Sequence, residues 1–164
     1  MDRMILPLML FVVACQPAAM ELTEEQTATI KSELDAVADE AIAAIAAVDI
    51  DRHLQFYVAS EDLTVAMQGE VIRSFATWAD GVRAAFSGIE SIESCAFTDK
   101  VTQVLSADVA VFTADFGCTG TTTGGGPLVF DHTVTAVMQK QDGVWKCVNF
   151  SETYPPPDPS SEQS

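Results

Sequence analysis

The 164-residue chain is long enough for one domain with accessory segments and too short for two ordinary domains. Its 24 Asp and Glu against 8 Lys and Arg give a formal charge of −16, which argues against nucleic-acid binding and against docking on anionic lipid through a basic patch. With 48% apolar residues the chain can bury a sizeable core, and global disorder is disfavoured.

Residues 5–14 are apolar apart from Pro7. As a helix they would span about 15 Å, half of a bilayer core of about 30 Å. That length is short for a transmembrane anchor and suits the apolar region of an export signal. Arg3 supplies the positive start, which Asp2 weakens. Val12-Val13-Ala14-Cys15 resembles the lipobox of bacterial lipoproteins. The resemblance implies removal of residues 1–14, acylation of Cys15 and a lipid anchor in the cell envelope. With Gln16 rather than Asp next, it implies the outer membrane, facing the periplasm. Two alternatives stay open: a secretory signal cut after Ala18 or Ala19, which gives a soluble exported protein, and a cytosolic chain with an apolar N-terminus. Residues 15–22 read as a tether.

Thr23 opens a helix, with Gln26 as its capping-box partner and Glu24 and Glu25 in the first turn, where the helix dipole favours anions. Ile30, Leu34, Val37, Ala41, Ile45 and Val48 then recur at spacings of three and four, one apolar stripe on a helix over about 24–47. Asp49 or Asp51 caps a short second helix bearing Leu54, Phe56 and Tyr57. Residues 63–67 form a short strand that Gln68-Gly69-Glu70 turns into Val71-Ile72. Ser74 caps a third helix with Phe75, Trp78, Val82 and Phe86, and Gly88 ends it.

From there the apolar period changes to two, with strands expected at about 90–104, 108–118, 128–140 and 144–153. Gln141-Asp142-Gly143 joins the last pair as a hairpin. Pro155-Pro156-Pro157 stops the final strand, and residues 155–164 read as a disordered tail. Helices followed by an antiparallel meander indicate an α+β domain.

The order of elements, with segments such as Ala47-Val48-Asp49-Ile50-Asp51, Gly88-Ile89-Glu90-Ser91-Ile92 and Asp142-Gly143-Val144-Trp145-Lys146, resembles the nuclear transport factor 2-like superfamily, in particular its SnoaL-like branch. The resemblance covers about residues 24–154, within a domain placed at 23–154. It implies a cone: a curved antiparallel sheet wrapped around about three N-terminal helices, with a pocket at the open end. It also implies dimerisation through the convex face of the sheet.

Strand register assigns side chains to faces. A tight turn at Ser106-Ala107 pairs Leu105 with Asp108, which sets Cys95 opposite Cys118. Export would permit oxidation, so a Cys95–Cys118 disulfide is expected, with two free core thiols as the alternative. Pairing Lys140 with Val144 and Ala110 with Val137 puts Phe97, Val101, Phe112, Phe116, Val137, Trp145 and Cys147 on one face. Thr133, Thr135, Asn149 and Ser151 follow toward its end. Val109, Val111, Val134, Ala136, Met138, Val148 and Phe150 take the opposite face. A single bulge would invert part of this assignment. Both faces are substantially apolar, so one is left for a homodimer or, alternatively, for cover by the N-terminal helix or the tail.

The pocket expected from this assignment is lined by Phe56, Tyr57, Phe75 and Trp78 from the helices and by Thr133, Thr135, Asn149 and Ser151 from the sheet. Plain core packing is the alternative for each aromatic, and a solvated sheet end for the polar set. Such a pocket suits a small, mostly apolar molecule. Enzymes of the superfamily use a pocket Asp or His, which makes an isomerase, cyclase or hydrolase the second reading. On the expected register Asp131 is the one weak catalytic candidate, near the rim, while Asp115, His132 and Glu152 fall on the other face. A dimeric association module without ligand is the third reading. His53 and His132 lack metal-ligand spacing, so no metal and no cofactor is expected. The Gly117–Gly126 loop lacks the Lys-Ser/Thr end of a phosphate loop.

Overall fold

The computed structural model describes residues 21–155. The export segment 1–14, Cys15, most of the tether and nearly all of the tail lie outside the described residues.

Helix α1 (Glu24–Ala46) starts at the expected capping box. The Thr23 hydroxyl accepts from the Gln26 amide at 3.1 Å, and the Thr23 amide donates to Gln26 Oε1 at 2.9 Å. Ile30, Leu34, Ala38, Ala41 and Ile45 form its buried stripe. Asp49 caps α2 (Ile50–Leu54), and Ser74 caps α3 (Phe75–Phe86), which buries Trp78, Ala79 and Val82. The strands are β1 (Thr64–Met67), β2 (Glu70–Arg73), β3 (Ile89–Ser106), β4 (Val109–Thr122), β5 (Pro127–Gln141) and β6 (Val144–Thr153).

These strands make one curved, unclosed sheet in the order β2-β1-β6-β5-β4-β3. The C-terminal meander is the expected one. The β1–β2 hairpin adds to it through a parallel β1–β6 pairing, Thr64 beside Asn149 and Ala66 beside Ser151. The helices cover the inner face, with α1 against β3. Lys100 ties the two elements together through Asp35 at 3.5 Å and Asp39 at 3.3 Å.

Register departs from expectation at three places, each for a local reason. In β3–β4 the turn pairs Ser106 with Val109, two positions away from the expected offset. Bulges between Val104 and Ser106 and between Thr98 and Val101 each take back one position, so Cys95 still meets Cys118, and the two are bonded. At its far end β3 runs so close to β4 that a Cβ on Gly120 would stand 2.1 Å from the Ser91 carbonyl oxygen; only glycine fits there. In β4–β5 Ala110 pairs with Met138, not Val137. In β5–β6 both Asp142 (φ 50°) and Gly143 (φ 81°) are left-handed, a two-residue turn that pairs Gln141 with Val144 instead of Lys140 with Val144. A further bulge in β6 then pairs Val137 with Asn149.

Because side chains alternate, one such slip exchanges the faces. On β5, His132, Val134, Ala136 and Met138 are buried on the inner face, and Asp131, Thr133, Thr135 and Val137 lie outside. On β6 Trp145 and Cys147 point inward as expected, but past the bulge the inward residues are Phe150 and Glu152, not Asn149 and Ser151.

Candidate functional site

The helices and the inner sheet face enclose a cavity of about 390 Å³. Its volume lies within the usual range of small-molecule sites, about 300–1,000 Å³. Leu34, Ala38, Ala41 and Ile45 of α1 form one wall, and Trp78, Val82 and Phe86 of α3 another. The sheet contributes Phe97, Phe112, Phe116, Phe130, Val134, Ala136, Met138 and Phe150. The wall is overwhelmingly hydrocarbon, because α1 and α3 direct their apolar stripes at the apolar parity of β4 and β5.

Of the expected lining residues, Phe56, Tyr57 and Trp78 do border this cavity. Phe75 instead packs against the core beside α3's first turn. Thr133, Thr135, Asn149 and Ser151 are on the outer face. Asp131 is also outside, in a shallow groove with Asp115 and Thr133. The one-residue offsets in the β4–β5 and β5–β6 pairings and the β6 bulge together account for all five displacements. The changed register on β5 brings in His132 and the β6 bulge brings in Glu152, two groups that the expected register excluded.

His132 and Glu152 stand together at one end of the cavity, side chains 5% and 12% exposed, with His132 Nε2 3.7 Å from Glu152 Oε1. That separation is beyond a hydrogen bond. The Tyr154 hydroxyl donates to Glu152 Oε2, and its ring stacks on His132 with centroids 4.8 Å apart. Burial first, and the Glu152 contact next, push the Tyr154 phenol up to about 12, so it stays a donor at neutral pH. Phe116 backs the His132 ring at 4.9 Å.

His53, Tyr57 and Trp78 form a second aromatic group, with ring centroids 5.5 Å (His53–Tyr57) and 5.6 Å (Tyr57–Trp78) apart. Phe150 joins it to the Glu152 end, 5.9 Å from Tyr57. Burial raises the Tyr57 phenol well above its usual value, and electrostatic repulsion from the neighbouring Cys147 and Glu152 side chains in their ionised forms adds to this. Burial likewise pushes the Cys147 thiol up to about 12, which removes it as a neutral-pH nucleophile.

Three buried polar atoms of the cavity residues have no partner: His53 Nδ1, Trp78 Nε1 and His132 Nδ1. Native cores pair nearly all such atoms, so three among the residues around one cavity are unusual. Among the described residues no group of His, Cys, Asp and Glu has the arrangement of a metal site.

Burial lowers the His53 imidazole to about 4, against a smaller opposing contribution from its bond to the Ala41 carbonyl. The ring is therefore neutral at pH 7. The unfolded chain takes up a proton below about pH 6.5 that the folded chain refuses until about pH 4, so stability falls as pH drops through that window. Allowing for partial exposure, we expect His53→Leu to gain about 2 kcal/mol relative to wild type between pH 7 and pH 4 in urea titrations. Parallel pH profiles would contradict this assignment.

The family model described as a SnoaL-like domain matches residues 34–155. Among solved structures, a nuclear transport factor 2-like superfamily protein from Salmonella enterica serovar Typhimurium aligns with TM-score 0.70 at 15% identity, covering 84% of this chain and 99% of its own. A provisionally assigned scytalone dehydratase from Novosphingobium aromaticivorans aligns with TM-score 0.71 at 10% identity, over 80% and 89%. A hexachlorocyclohexane dehydrochlorinase from Novosphingobium barchaimii aligns with TM-score 0.64 at 14% identity, over 80% and 90%. At these identities the likeness is one of fold. Comparison with proteins of curated function returns no significant match.

Proposed function

The chain belongs to the SnoaL-like family of nuclear transport factor 2-like folds, and on that premise we propose that its cavity binds a small, largely apolar molecule carrying a few polar atoms. The observation that carries this reading is the cavity of about 390 Å³ with an overwhelmingly hydrocarbon wall and the polar side chains of Glu152 and Tyr154 at one end. Apolar burial supplies affinity, at roughly 25 cal/mol per Å² removed from water, and the polar end at Glu152 supplies orientation.

The chemistry at the Glu152 end favours a second reading, acid–base transformation of the bound molecule. Glu152 and His132 are titratable, adjacent and buried, as general catalysis requires. The structural neighbours named as a dehydratase and a dehydrochlorinase lend support by analogy of fold. Incubating a recovered ligand with the protein in D₂O separates the readings. Carbon-bound deuterium that depends on His132 favours turnover, and its absence favours binding alone.

We also propose export with a lipid anchor on Cys15. The Cys95–Cys118 bridge supports export, because cytosolic thiols are kept reduced. A homodimer through the outer sheet face is supported by Val111, Val137 and the 57%-exposed Val101, which lie there without cover from the helices. Native mass spectrometry of detergent-extracted protein reads all of these at once. The expected result is a chain starting at acylated Cys15, at twice the monomer mass, with a co-purified small molecule. An unprocessed N-terminus removes the anchor, and a bare monomer removes the dimer.

A further inference from the structure

Glu152 is the only carboxylate in the cavity wall, and no Lys or Arg lines it, among the described residues. Its Oε2 is taken by the Tyr154 hydroxyl. Its Oε1 has no hydrogen bond: His132 Nε2, at 3.7 Å, is too far, and His132 Nδ1 is buried without a partner. A carboxylate oxygen in an apolar cavity is costly unless a donor or a cation reaches it.

The surroundings say which. Phe150 precedes Glu152 by two positions on the same face, and its ring lies 6.1 Å from Trp78 and 5.9 Å from Tyr57. Phe116 and Tyr154 flank the His132 side. Such ring faces attract cations, most strongly where water is excluded. A carboxylate ligand would meet the Glu152 charge with no cation to offset it, and the net charge of −16 repels anions on approach while drawing cations in.

Resting on the reading of the cavity as a binding site, we propose that its ligand is a small hydrophobic amine, bound as the ammonium ion with its nitrogen at Glu152 Oε1 among the aromatic rings. The hydrocarbon body fills the space between α1, α3 and the sheet.

The test uses three isosteric probes on the purified protein at pH 7: 1-naphthylmethylamine, 1-naphthylmethanol and 1-naphthoic acid, titrated by calorimetry. The amine is expected to bind at least about tenfold tighter than the alcohol, with the acid weakest. In Glu152→Gln the amine-to-alcohol preference is expected to fall below about twofold. The wild-type ordering decides the matter even if that variant fails to fold. If the alcohol or the acid binds as tightly as the amine, the amine assignment is overturned while the apolar binding site stands. If no probe binds, both fall.

Discussion

Trp145→Ala is expected to lower the stability of the domain by about 3–5 kcal/mol, read as a drop in the urea midpoint at constant slope. Trp145 is 3% exposed on the inner face of β6. Its indole Nε1 donates to Glu33 Oε2 of α1 at 2.8 Å, and Lys140 Nζ donates to the same oxygen at 2.7 Å while lying 5.5 Å from the indole centroid. One side chain therefore fills core volume and joins the first helix to the last hairpin. Truncation removes the ring's burial, leaves a cavity and strips Glu33 of a donor; that hydrogen bond contributes about 1 kcal/mol of the total. Trp145→Phe keeps most of the volume and is expected to cost less than half as much. Equal losses in the two variants would mean that the Glu33 contact, not packing, dominates.

Removing the Cys95–Cys118 bridge is expected to cost about 3 kcal/mol, because the bond closes a loop with a sequence separation of 23 and so restricts the unfolded chain. The double variant Cys95→Ala/Cys118→Ala and reductant treatment of the wild type are expected to agree, apart from the small void left where Cys118 is buried. A loss under about 1 kcal/mol would show that the bulged β3–β4 ladder holds its register without the bond. The outcome bears on localisation too, since a domain that depends on the bridge is suited to an oxidising compartment.

The helical half of the fold was legible because its signals are local. Thr23 with Gln26, Asp49 and Ser74 each cap the helix that follows, and the stripe from Ile30 to Ile45 is buried as its spacing implies. The docking of β1 parallel to β6 leaves no local trace, since it joins residues far apart in the chain. The site was lost through single-residue offsets. Reading Gln141-Asp142-Gly143 as a three-residue loop, rather than Asp142-Gly143 as a two-residue turn, moved Thr133 and Thr135 inward and His132 outward. One available signal pointed the other way. Along β5 the even positions from Phe130 to Met138 are apolar apart from His132, whereas the odd set includes Asp131, Thr133 and Thr135. The β6 bulge beyond Cys147, which turns Glu152 inward, has no such signature.

The measurement that bears most directly on the cavity as a ligand site is a fluorescence titration with N-phenyl-1-naphthylamine, a probe that brightens in apolar surroundings. Wild type is expected to give saturable one-site brightening. Ala136→Phe, which projects a ring from the middle of β5 into the cavity, is expected to weaken binding by at least about tenfold with its far-UV circular dichroism unchanged. Brightening of equal affinity in both proteins, or none in wild type, would contradict the account.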